Sequence, residues 1–85
     1  MNELKIRLRD ILNQFVPCLR DLDIANIDSC IGAGELELAL ETLCEQIYEY
    51  DCGCSEQQLA VIKQLAHQMG MPPTVWRLID PKRSK

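Results

Sequence analysis

Residues 34–51 read GELELALETLCEQIYEYD. At about 100° per residue, Leu36, Leu40, Leu43 and Ile47 fall on one stripe, with Ala39, Cys44 and Tyr50 at its margins. Apolar residues recurring at the helical period predict an amphipathic α-helix over 35–50. Glu41, Glu45 and Glu49 lie opposite the stripe, and Glu37 and Tyr48 run along one shoulder. Leu38 breaks the pattern by pointing into the polar half. It is either a second packing position against another helix or an exposed apolar contact for a partner.

The flanking segments keep the same period. Upstream, Gly32-Ala33-Gly34 is a turn signal that closes a helix over 20–31, whose apolar positions are Leu22, Ile27 and Ile31, with Leu19 just before it. Before that, Leu4, Leu8, Ile11, Leu12 and Phe15 mark a helix over 3–15. Pro17 ends it, because a residue before proline is pushed out of helical angles. Downstream, Cys52-Gly53-Cys54 makes a turn. Ser55 followed by Gln58 is a capping-box pattern, so a helix starts near Glu56 and runs to Gly70, with Leu59, Ile62, Leu65, Ala66 and Met69 on its apolar face. Pro72 and Pro73 set up a short last helix over 73–79, whose Val75, Trp76 and Leu78 or Ile79 close one end of the core. No apolar–polar alternation flanked by hairpin turns is present. The expected fold is therefore all-α: a small single-domain bundle of four to five antiparallel helices over 1–80, followed by a frayed basic tail, 81–85.

A chain of 85 residues buries only about 60–65% of its unfolded surface, which leaves little room for a deep, water-excluding cleft. The net charge of −4 is unevenly spread. Residues 1–20 carry a balance of +2, residues 21–56 carry ten acids and no Lys or Arg, and residues 57–85 carry +4. An acidic middle disfavours nucleic acid and anionic membrane and points to a basic partner. The plain alternative is a solvated polar face. The first twenty residues interleave charges with apolar positions, unlike a signal peptide, and no apolar run approaches the roughly 20 residues that span a bilayer, so the expected location is cytoplasmic. The five cysteines (18, 30, 44, 52 and 54) are odd in number and lack framework spacing, so they are expected to be free, with Cys44 packed as a small apolar residue.

Catalytic and metal chemistry find little footing. His67 is the only histidine, on the flank of a helix. The carboxylates of 35–51 form a ladder with no group to split their pKa values into an acid and a base. Cys52-Gly53-Cys54 offers two thiols where a closed zinc site needs four ligands, and Cys30, Cys44 and His67 stand at no customary spacing. The expectation is a chain with no catalytic residues, no metal and no cofactor.

The quoted stretch, its continuation into Ser55-Glu56-Gln57-Gln58, the Met69-Gly70-Met71 stop, and Trp76 with Leu78 together resemble MafI-type immunity proteins, which are similar to immunity proteins of contact-dependent growth inhibition systems. The resemblance covers roughly residues 27–79. It implies a cytoplasmic protein that binds and neutralises the C-terminal domain of a bacterial toxin, for this branch an EndoU-type ribonuclease, as a 1:1 complex. RNases present cationic clefts for phosphates, and an acidic helix suits the same field. The residues expected to make the contact are Glu37, Leu38, Glu41, Glu45, Tyr48, Glu49 and Asp51, with Tyr48 and then Leu38 as apolar anchors. The second helix, with Asp21, Asp23 and Asp28, is another possible surface. The alternatives are a generic helical adaptor and a metal or redox module built on the cysteines.

Overall fold

Four α-helices and two 3-10 turns make up the regular structure of residues 2–82, the part of the chain described by this computed structural model. The helices are α1 (Glu3–Gln14), α2 (Asp21–Gly32), α3 (Leu36–Glu49) and α4 (Glu56–Gln68), and the turns are Pro73–Val75 and Arg77–Ile79. The fold is all-α, and no strand occurs among the described residues. The expected last helix is instead two single turns meeting at Trp76. Pro72 and Pro73 remove two N–H donors, and seven residues are too few to repay the cost of helix nucleation. Of the expected frayed tail, residues 83–85 lie outside the described residues. Lys82 is held by an ion pair to Glu56 at 2.8 Å.

Local chemistry sets the helix boundaries. The Asn2 side chain accepts from the backbone N–H groups of Leu4 (2.9 Å) and Lys5 (3.4 Å) and so starts α1. Ser55 and Gln58 form the expected reciprocal capping box at α4, each side chain bonded to the other's backbone N–H at 3.0 Å. Ser55→Ala removes one of those bonds and is expected to cost about 1 kcal/mol. In urea this should appear as a lower midpoint with an unchanged slope.

Three helices end in the same paired-bond motif. At α2, Gly34 N–H bonds to Ile31 O and Glu35 N–H to Cys30 O, with Gly34 at φ 82°. At α4, Gly70 N–H bonds to His67 O and Met71 N–H to Ala66 O. At α3, Asp51 N–H bonds to Tyr48 O and Cys52 N–H to Ile47 O, with Asp51 at φ 51°. Glycine is the usual occupant of this left-handed position, and a residue with a Cβ is strained there. Asp51→Gly is accordingly expected to raise the unfolding free energy by about 0.5–1 kcal/mol, measured by urea denaturation.

Helices α1 and α3 are the spine: α1 packs on α2, α3 and α4, and α3 packs on all three other helices and on both 3-10 turns. The core is aliphatic, with Leu8, Ile11, Ile27, Ile31, Leu40, Leu43, Ile47, Ile62 and Leu65 fully buried and Phe15 beside them. No polar or charged side chain is buried among the described residues. Leu36 and Tyr50 sit half-buried at the margin of the α3 stripe. Leu22, read from sequence as an inward position of the second helix, is 83% exposed, and α2 instead turns Ile24, Ile27 and Ile31 to the core. Those three residues follow helical spacing among themselves and leave Leu22 on the other side.

The expectation of five free cysteines is overturned. Cys18, in the turn after α1, is bonded to Cys52, in the turn after α3, with Cα atoms 5.8 Å apart. That separation is ordinary for a disulfide. Folding supplies the proximity, since α2 and α3 return the chain to the end of α1. Cys30, Cys44 and Cys54 are free, and Cys44 is buried as expected. Burial pushes the Cys44 thiol up to about 12, with Cys54 and Glu45 adding to the rise. Burial, and then Asp80, also raises Cys54.

Candidate docking surface

The outward face of α3 does not lie open along its whole length. Its C-terminal half forms one wall of a groove whose other wall is the Pro72–Ile79 segment. The first section of the groove, about 510 Å³, is lined by Glu41, Cys44, Glu45, Tyr48 and Glu49 from α3 and by Pro72, Thr74, Val75, Leu78 and Ile79 opposite. A second section of about 500 Å³ continues from Tyr48, Glu49, Leu78 and Ile79 past Asp51, Gly53, Cys54 and Pro81. Tyr48 (48% exposed) and Leu78 (53% exposed) stand at the junction as large apolar surfaces.

Five of the seven residues expected from sequence thus come together: Glu41, Glu45, Tyr48, Glu49 and Asp51. Glu37 and Leu38 lie on the N-terminal half of α3 and line neither section. Leu38 is 47% exposed and so is not a second packing position against another helix. The sequence reading missed the facing wall. Leu78 had been placed as a possible core residue, but Ile79 fills that role at 7% exposure and Leu78 faces outward.

The electrostatics of the groove are one-sided. Glu41, Glu45 and Glu49 repeat at four-residue spacing, so each repels the next across one helical turn, by about 0.2–0.5 kcal/mol per pair. The last turn of α3 carries no basic residue, so Glu45 and Glu49 sit near the negative end of the helix dipole. No ion pair among the described residues involves Glu37, Glu41, Glu45, Glu49 or Asp51.

Lys5, Arg7, Arg9, Arg20, Lys63 and Lys82 are engaged elsewhere. Arg7 donates to Gln64 (2.7 Å) and Gln68 (2.8 Å) on α4. Arg9 pairs with Asp28 at 2.9 Å, and Lys5 donates to Gly32 O. Lys63 approaches Asp80 at 4.0 Å and lies over the Trp76 ring. Arg20 lies over the Tyr50 ring, and the Tyr50 hydroxyl donates to Asp23 at 2.9 Å. That hydrogen bond, chiefly, holds the Tyr50 phenol above its ordinary value. The acidic residues of α2 are therefore partly occupied, Asp23 by Tyr50 and Asp28 by Arg9, which leaves α3 as the less compensated surface.

Among the described residues no group of three or more His, Cys, Asp or Glu side chains is placed to hold a metal ion. Cys52 is committed to its disulfide, and the raised thiols of Cys44 and Cys54 disfavour the thiolate that metal binding or nucleophilic attack requires. No helix among the described residues is long and apolar enough to cross a membrane. No protein-family model, no curated protein and no solved structure matches the chain.

Proposed function

We propose that this chain is a binding protein, and specifically an immunity protein, that docks the acidic α3 groove onto a basic surface of a toxin domain and occludes it. One observation carries the reading: among the described residues the Glu ladder of α3 makes no ion pair, and it borders a groove whose rim exposes Tyr48 and Leu78. Uncompensated like charges on one face weaken a fold slightly, and a cationic partner relieves them. Exposed aromatic and aliphatic side chains at the centre of such a face supply the desolvated anchor that charge alone lacks.

The resemblance of residues 27–79 to MafI-type immunity proteins supplies the partner class, a basic nuclease domain of EndoU type, bound as a 1:1 complex in the cytoplasm where such a toxin attacks RNA. A specific interface requires roughly 800 Å² from each partner, for which α3 and the Pro72–Pro81 wall are the proposed source. Long-range attraction suits the task. Steered association reaches about 10⁸ M⁻¹s⁻¹ at low salt, and an RNase does damage until it is captured.

The test is protection. Co-expressing the chain with the proposed EndoU-type nuclease domain should restore growth and yield a complex with one copy of each. Growth arrest that persists with the chain present at molar excess rules the immunity reading out. If the chain instead captures basic proteins without protecting cells, a generic helical adaptor takes its place.

A further inference from the structure

The three aromatic rings on and around α3 and the C-terminal turns are treated differently by the fold. Tyr50 carries the Arg20 guanidinium 5.1 Å from its ring centre, and Trp76 carries the Lys63 ammonium at 4.5 Å. Both distances fall within the roughly 6 Å range over which a cation is held by a ring face. Tyr48 is half exposed, and among the described residues no cation covers its ring and no hydrogen bond occupies its hydroxyl. It also stands at the junction of both groove sections, with Glu49 lining both and Glu45 lining the first.

We infer that the groove takes an arginine side chain of the partner polypeptide, its guanidinium stacked on Tyr48 and hydrogen-bonded to Glu45 and Glu49, with a neighbouring apolar residue of the partner against Leu78. This inference rests on the docking reading above and names the occupant of that surface. Arginine fits better than lysine on two grounds. A planar guanidinium stacks on a ring while its edge donates to carboxylates lying in its own plane, which an ammonium cannot do at once. Guanidinium is also the more weakly hydrated cation, so it loses less on entering a groove walled by Val75, Leu78 and Ile79. The apolar side of the groove lies against the stem of the arginine, as long cationic side chains require.

The experiment uses the whole chain and two fluorescein-labelled octapeptides, one with two arginines flanking a leucine and one with lysines in both places. Dissociation constants are measured by fluorescence polarisation at low salt, and peptide proton shifts are followed by NMR. The arginine peptide should bind about tenfold more tightly than the lysine peptide, with its side-chain protons next to the guanidinium moving upfield as they enter the ring current. Tyr48→Phe should keep that preference, and Tyr48→Leu should erase it while the thermal transition stays in place. Glu45→Gln should weaken both peptides alike. Equal binding of the two peptides, an unchanged preference in Tyr48→Leu, or no measurable binding of the arginine peptide overturns the inference. The two proposals fail separately. A Tyr48→Leu chain that still protects cells fully removes the arginine site and leaves immunity standing, whereas arginine selectivity without protection does the reverse.

Discussion

Replacing Cys18 and Cys52 together by serine is expected to lower the melting temperature by roughly 10–25 °C. The bond joins residues 34 apart in sequence. In the chain-entropy account, closing a loop of that length removes about 4 kcal/mol of freedom from the unfolded chain, and measured losses on deleting a native disulfide are about 2–5 kcal/mol. A domain of this size shifts by about 4–8 °C per kcal/mol, so a loss of about 3 kcal/mol, near the middle of that span, gives the range stated. Reduction of the unaltered chain by dithiothreitol should bring its transition to that of the double variant. Identical melting with and without reductant would show that the bond contributes nothing. Cytosolic thiols are kept reduced, so a protein that works in the cytoplasm, as proposed, works there in the less stable form, and alkylation of Cys18 and Cys52 in intact cells will report which form is present.

The second large effect concerns association. Changing Glu41, Glu45 and Glu49 to lysine reverses the groove's field, a swing of six charges on one face. The association rate with the proposed toxin domain should fall by about 10²–10³ at low salt and lose most of its dependence on ionic strength. Stopped-flow mixing across a salt series measures both. Stability should not fall with it. The four-residue spacing remains a like-charge ladder, and lysines near the C-terminal end of α3 suit the helix dipole better than glutamates do. A triple variant that melts normally and binds at the original rate would mean that the Glu ladder is only a hydrated surface.

Much of this was legible in the sequence, for local reasons. Helix α3 could be read from Leu36, Leu40, Leu43 and Ile47, because a single period decided between strand and helix. The start of α4 could be read from Ser55 and Gln58, because a capping box is a bond between neighbours. The acidic wall of the groove was visible for the same reason, since Glu41, Glu45, Tyr48 and Glu49 belong to one helix. The facing wall was not. Where Leu78 points depends on how a seven-residue, proline-led segment lies across α3, and so short a stretch carries no periodicity to read. Leu22 misled because apolar character alone put it in the stripe, whereas Ile24, Ile27 and Ile31 define the inner face. The Cys18–Cys52 pairing had no signal of its own: it arises only when two helices bring separate turns together.

The disulfide also fixes how the molecule responds to being cut. Helices α2 and α3 lie entirely inside the ring closed by Cys18 and Cys52, and the Gly32–Glu35 turn between them is exposed. A protease that clips that turn opens one peptide bond but frees no fragment. On a gel run without reductant the clipped protein migrates as one band, heavier than the intact chain by a single water, and only a thiol parts it into two pieces. Each piece then carries one of the two linked cysteines.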